Sequence, residues 1–190
     1  MDLMMRRRAL MSMGSKGEDD PWAGLPNGIR IRTKNTGSNN IIGRRDENLN
    51  MVDAMYVDGV LITPVLKYEF ADSEYHNVLI VLKDNTKLGS NFCWYDGGKA
   101  PIMIDFPSTT VTFPDQSIRG LNSGTDFDVI FRSTSMPTFG SYNFVSWDTT
   151  HAHIYVPFAL VNSYKTMLQN DSYGSALADK VFALEDSPYK

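Results

Sequence analysis

The chain has 190 residues, the length of one large domain or two small ones, and 42% hydrophobic with 12% aromatic residues are enough to build a packed core rather than a disordered tail. Its net charge of −4 argues against a broad basic face for nucleic acid, and its single cysteine excludes a disulfide framework and a multi-cysteine zinc site. No apolar run approaches the roughly 18 residues of a membrane-spanning helix.

Charge is unevenly placed. Residues 1–16 set Arg6, Arg7, Arg8 and Lys16 against Asp2, a net of +3 that leaves −7 on the rest of the chain. Only Ala9, Leu10 and Met11 separate the arginines from Ser12, so the opening lacks the apolar stretch of a secretory signal. Five methionines around three arginines instead make an adaptable docking peptide. Met4, Met5, Leu10 and Met11 are its expected apolar contacts, and Arg6, Arg7 and Arg8 its partners for acidic groups. Four glycines and two prolines in residues 14–28 read as linker, so residues 1–28 are expected to be arm and linker.

Ile29, Ile31 and Thr33 alternate with Arg30 and Arg32, which predicts a short half-exposed strand. NTGSNN at 35–40 reads as a turn cluster. Asp58-Gly59 between apolar runs is a strong two-residue hairpin signal, and strands are expected at 67–70 and 77–84. Residues 29–84 are thus expected to form a small β-sandwich-like module. Helical spacing appears at Leu160, Val161, Tyr164, Met167 and Leu168, after Pro157 in the first-turn position. Residues 175–184 read as a second short helix, and residues 158–190 as a C-terminal helical cap.

The most informative pattern is a repeat. Ile104–Pro107, Val129–Arg132 and Ile154–Pro157 are spaced by 25 residues, and the same step back lands on Leu79–Leu82. Phe92, Ile118 and Phe144 recur 26 apart. One short strand per 20–29 residues is the signature of a solenoid, in which each coil buries its apolar side only by stacking on the next. The expected array spans 85–157, with strands at 79–82, 102–106, 129–131 and 154–156. Ile104, Phe106, Val129, Phe131, Ile154 and Val156 should face inward. Met103, Asp105, Asp128, Ile130, His153 and Tyr155 should face outward or toward a partner.

The catalytic inventory is thin. His151 and His153 share one strand face, with Asp128 one repeat behind His153, but zinc takes three or four protein ligands. An Asp–His hydrogen bond on a polar face is the expected outcome, with no metal. Cys93 lies between Phe92 and Trp94 and reads as a packed thiol. GSNFCWYDGG lacks the spacing of a phosphate loop. Neither a catalytic residue nor a cofactor is expected, and the chain reads as non-enzymatic. Trp94, Tyr95, Tyr142, Trp147, His153 and Tyr155 are the candidate ligand-binding side chains, since flat aromatic faces give contact area at low entropic cost.

LGSNF with IMIDFP, PDQSIRG with VIFRS, and the closing IYVPFALVNSYKTM resemble the BspA-like, treponemal-type leucine-rich repeats, over about residues 55–190. The ending is similar to that family's C-terminal cap, and residues 55–84 to the β module that precedes its repeats. The resemblance implies a mainly β fold: a small β module, a short degenerate leucine-rich-repeat solenoid, and a helical cap. It also implies a setting among gut bacteria and their phages. The expectation is a structural protein of a larger particle, a bacteriophage virion component (fibre, decoration or tail-associated) docked on other structural subunits by its N-terminal arm and oligomeric there. The alternative is an adhesin or a glycan- or protein-binding module on the bacterial cell surface. Neither nucleic acid nor membrane is expected as a partner.

Overall fold

The computed structural model describes residues 20–43, 45–95, 100–122 and 124–190. The chain is mainly β, with a large mixed sheet and a short C-terminal helix. Its first half supplies β1 (Ile29–Thr33), β2 (Gly37–Asn40), β3 (Val52–Val57), β4 (Val60–Ile62), β5 (Lys67–Phe70) and β6 (His76–Leu82). The second half supplies β7 (Cys93–Trp94), β8 (Met103–Phe106), β9 (Thr112–Phe113), β10 (Ile118–Arg119), β11 (Phe127–Phe131), β12 (Thr138–Phe139), β13 (Ala152–Val156) and β14 (Val181–Ala183). The helix Val161–Gln169 lies between β13 and β14.

Eight strands form one sheet in the order β14-β13-β11-β8-β1-β6-β3-β4. The run β8, β11, β13 and β14 is parallel, and the run from β8 through β1, β6 and β3 to β4 is antiparallel. In the parallel part Ile104 pairs with Val129 and Val129 with Ile154, so the strands repeat at the 25-residue step read in the sequence. Phe106 pairs with Phe131, and the next register position places Val156 beside Phe131. The crossovers pair in parallel too. Cys93 lies opposite Ile118, Thr112 opposite Thr138, and Lys87 bridges to Thr112. Ile118 therefore aligns with Cys93 and not with Phe92, one residue away from the sequence alignment.

The six residues expected to face inward are all buried in the main core. Its centre is a stack of rings from successive strands. Phe106 lies 5.3 Å from Phe131 at 14°, Phe113 meets both edge-on, and Phe139 stacks on Phe113 at 4.9 Å. The C-terminal helix closes this core with Tyr164 and Leu168, which are buried at helical spacing. Loop backbone inside the core needs partners, and Asn143 supplies them. Its Oδ1 accepts from the Ser117 hydroxyl and the Ile118 N–H, while its Nδ2 donates to the carbonyls of Phe113, Pro114 and Gly140.

Several expectations are corrected. β1 is a central strand between β6 and β8, so Leu79–Leu82 does not stack on Met103–Phe106. Residues 29–84 give four strands to the common sheet and form no sandwich of their own. Residues 37–40 of the supposed turn cluster are β2, paired antiparallel with β5. The supposed second helix is a 3-10 segment over Ser175–Lys180 followed by β14, where Val181 and Ala183 are buried against β13. The outward face is also covered, because Met103, Asp105, Ile130 and Tyr155 are all buried. β6 reads as a continuous apolar run for the same reason: Val78, Ile80 and Leu82 face one core, and Leu79 and Val81 the other.

The hairpin forms as expected, with Asp58 and Gly59 both at positive φ in the two-residue turn between β3 and β4. His76 holds it down. Its Nδ1 lies 2.8 Å from Asp58 Oδ2 and its Nε2 lies 3.1 Å from Asp72 Oδ1, while its ring stacks on Phe70 at 4.5 Å. Burial desolvates the imidazole and by itself would lower its pKa, but the bonds and charges of Asp58 and Asp72 outweigh it and raise the value above 6.5.

Truncating the ring stack should be costly, since Phe→Ala in a packed core loses about 3–5 kcal/mol. Phe131→Ala is expected to fall in that range by urea unfolding. The His76 latch should contribute stability that is full below pH 6.5 and lost as pH rises through its raised folded value. Hydrogen exchange of the amides of residues 58–60 and 71–77, corrected for intrinsic rates, should show more protection at pH 6 than at pH 8, and His76→Gln should remove the difference.

Candidate functional site

The outer face of the sheet carries Trp22 and Tyr189, and its chemistry is built from alternation along the strands. Ile29, Ile31 and Thr33 point into the core, which leaves Arg30 and Arg32 on the opposite face. Trp22 sits on that arginine row, with its ring centroid 5.5 Å from the Arg30 guanidinium and 5.4 Å from that of Arg32. Asp20 shapes the approach: its carboxylate accepts the Trp22 N–H at 3.0 Å and its carbonyl accepts the Ala23 N–H at 2.8 Å. Trp22 then packs with Leu79, Val81 and Met103 in a second buried cluster.

The C-terminal tail crosses the same face beside it. Arg132 Nε lies 2.8 and 3.0 Å from the two Asp105 carboxylate oxygens, and its Nη2 donates to the Tyr189 carbonyl at 2.8 Å. The Tyr189 hydroxyl donates to Asp128 Oδ2 at 2.6 Å, and His153 Nδ1 lies 3.2 Å from Asp128 Oδ1. Burial pushes the Asp105 carboxyl above its ordinary pKa despite the opposing charge of Arg132, and burial with the Asp128 charge raises the Tyr189 phenol. Between Trp22 and Tyr189 lies a cleft of about 570 Å³ that Arg30, Asp105 and Arg132 also line. Both straps are therefore held by charge-assisted contacts to one patch of sheet.

The docking residues Met4, Met5, Arg6, Arg7, Arg8, Leu10 and Met11 lie outside the described residues. The six candidate ligand-binding side chains separate. Trp147 is buried, with its indole N–H bonded to the Ile118 and Asn143 carbonyls. Tyr95 and Tyr155 are buried as well, the latter against Phe182 and Tyr189, so these three rings present no open face. Trp94 is half-buried under the Arg119 guanidinium at 4.4 Å, and His153 is half-buried and paired with Asp128. Tyr142 is exposed.

His151 pairs with Asp126 at 3.1 Å in the same 25-residue relation as His153 with Asp128, which makes two parallel Asp–His pairs. Among the described residues, no group of three or more His, Cys, Asp or Glu side chains is placed to hold a metal ion. Cys93 is buried, and desolvation pushes its thiol up to about 12. Among the described residues no helix is long and apolar enough to cross a membrane.

Sequence reasoning missed Trp22 and Tyr189. An aromatic in a Gly/Pro-rich linker opposite alternating arginines was the available signal for the first. Comparison with protein-family models, with curated proteins and with solved structures finds no match.

Breaking the strap network should leave the buried Asp105 carboxylate with Arg30 as a remaining positive neighbour. Arg132→Ala is therefore expected to cost about 3 kcal/mol at pH 7, the low end of the range for an orphaned buried ion. Because Asp105 already titrates high, losing Arg132 raises it further, and protonation removes the penalty. Unfolding measurements should therefore find the deficit smaller at pH 5 than at pH 7.

Proposed function

We propose that the protein is a non-enzymatic structural component of a larger particle, most plainly a bacteriophage virion, fixed to neighbouring subunits by residues 1–16. On this reading the body is a short, degenerate leucine-rich-repeat-type solenoid. The parallel pairing of β8, β11 and β13 at a constant 25-residue step, echoed by the crossover strands, supports that description. The observation that carries the docking role is the Trp22 clamp. It fastens the chain to the sheet a few residues after the basic, methionine-rich segment, so a load on that segment would meet the body at Trp22, on Arg30, Arg32 and the apolar cluster beneath.

Ordering an extended segment on a partner costs about 1–2 kcal/mol per residue in backbone entropy, which three surface charges cannot offset. Met4, Met5, Leu10 and Met11 therefore supply the affinity in an apolar groove of the partner, while Arg6, Arg7 and Arg8 steer the encounter to acidic groups. Replacing the three arginines with alanine should weaken incorporation into particles in a salt-dependent way. Replacing the four apolar residues with serine should abolish it, with the melting temperature of the body unchanged. Incorporation of a chain lacking residues 1–16 at the full-length level would contradict the reading.

A further inference from the structure

A groove of about 700 Å³ runs between the C-terminal helix and the turn leading into β12. Its floor is apolar, with Met136, Phe139 and Met167. Its wall is a single helical stripe of amide and hydroxyl side chains, Asn162, Ser163, Thr166 and Asn170, at i, i+1, i+4 and i+8. Asp171 closes one end, and its Oδ1 accepts the N–H groups of Tyr173 and Gly174, both at 2.8 Å. That turn sets Tyr173 against Tyr142, with the rings 5.5 Å apart at 46°; the two residues are 49% and 47% exposed.

Tyr142 is the unusual member. Asn91, Gln116 and Tyr142 recur at 25 and 26 residues, and all three hold left-handed backbone, with φ of 58°, 60° and 63°. The Asn91 N–H reaches the Gln116 carbonyl, and the Gln116 N–H the Ser141 carbonyl, so the three turns stack. Asparagine tolerates this conformation, whereas a bulky aromatic is strained in it. Burial does not compensate the strain, because the residue is half exposed. Strain retained at an exposed position points to use.

We propose that this groove and the Tyr142–Tyr173 ring pair just past its Asp171 end together bind a neutral oligosaccharide, with the two rings as a stacking platform and the helix stripe as hydrogen-bonding partners for sugar hydroxyls. Amides, hydroxyls and one carboxylate over an apolar floor match a ligand that is polar at its edges and apolar on its ring faces. Among the described residues lining the groove there is no Lys, Arg or His, and the carboxylate of Asp171 disfavours anionic ligands such as sulfated or phosphorylated glycans. The inference is independent of the docking role, since every described residue that lines the groove lies in the second half of the chain.

The test is titration calorimetry of the full chain with cellohexaose, laminarihexaose, mannohexaose and chitohexaose, and with a heparin hexasaccharide as the anionic comparison. At least one neutral hexasaccharide should bind and heparin should not. Tyr142→Asn and Tyr173→Ala should each weaken that binding by at least about fivefold, the loss expected for one aromatic contact. Tyr142→Asn should meanwhile keep or raise the melting temperature, because it relieves the strained backbone. Binding of heparin in preference, binding by Tyr142→Asn equal to the parent, or no neutral hexasaccharide bound at about 1 mM would overturn the proposal.

Discussion

Parallel strands cannot be joined by a tight turn, and that constraint organises the second half of this protein. β8, β11 and β13 lie side by side in the same direction, so each connection must leave the sheet, travel and return. The chain meets the requirement with crossovers of nearly constant length that carry their own short parallel strands, β7 with β10 and β9 with β12. Equal crossovers put equivalent side chains in columns. Phe106 then stacks on Phe131, and Phe113 on Phe139, without either ring leaving its own strand.

A core enclosed by loops carries a second requirement, that the loop backbone be satisfied internally. Asn143 meets it at the corner of one crossover, and Asn48 does similar work by donating to the Ile42 and Ser90 carbonyls. Close packing at the corners removes side chains altogether. A Cβ on Gly43 or Gly120 would run into the carbonyl of Asn91 or Tyr95, and both glycines also hold positive φ. The outer face has its own solution, because Trp22 covers it beside Arg30 and Arg32, and Tyr189 beside Arg132.

The sequence made the parallel strands legible because their apolar residues recur at one step, and the hairpin because Asp-Gly has few other uses. It did not reveal that β1 enters the sheet between β6 and β8. Alternating Ile and Arg is what a half-exposed strand shows, and the arginines do stay half-buried, under Trp22. Residues 37–40 pair as β2 despite turn-like composition, since antiparallel pairing with β5 outweighs the weak strand propensity of Gly, Ser and Asn. The aromatic candidates divided for the same reason. Burial of Tyr95, Trp147 and Tyr155 depends on what crosses above them, which no local pattern encodes, while the platform partner Tyr173 lies in a polar turn with no periodic signal.

The central claim is the strand order, with β1 inserted between β6 and the parallel run. Interstrand NOEs on labelled protein test it directly. The account predicts contacts from Ile31 to both Val78 and Ile104, from Ile104 to Val129, and from Val129 to Ile154. Contacts joining Leu79–Leu82 directly to Met103–Phe106, with none from Ile31 to Ile104, would contradict it.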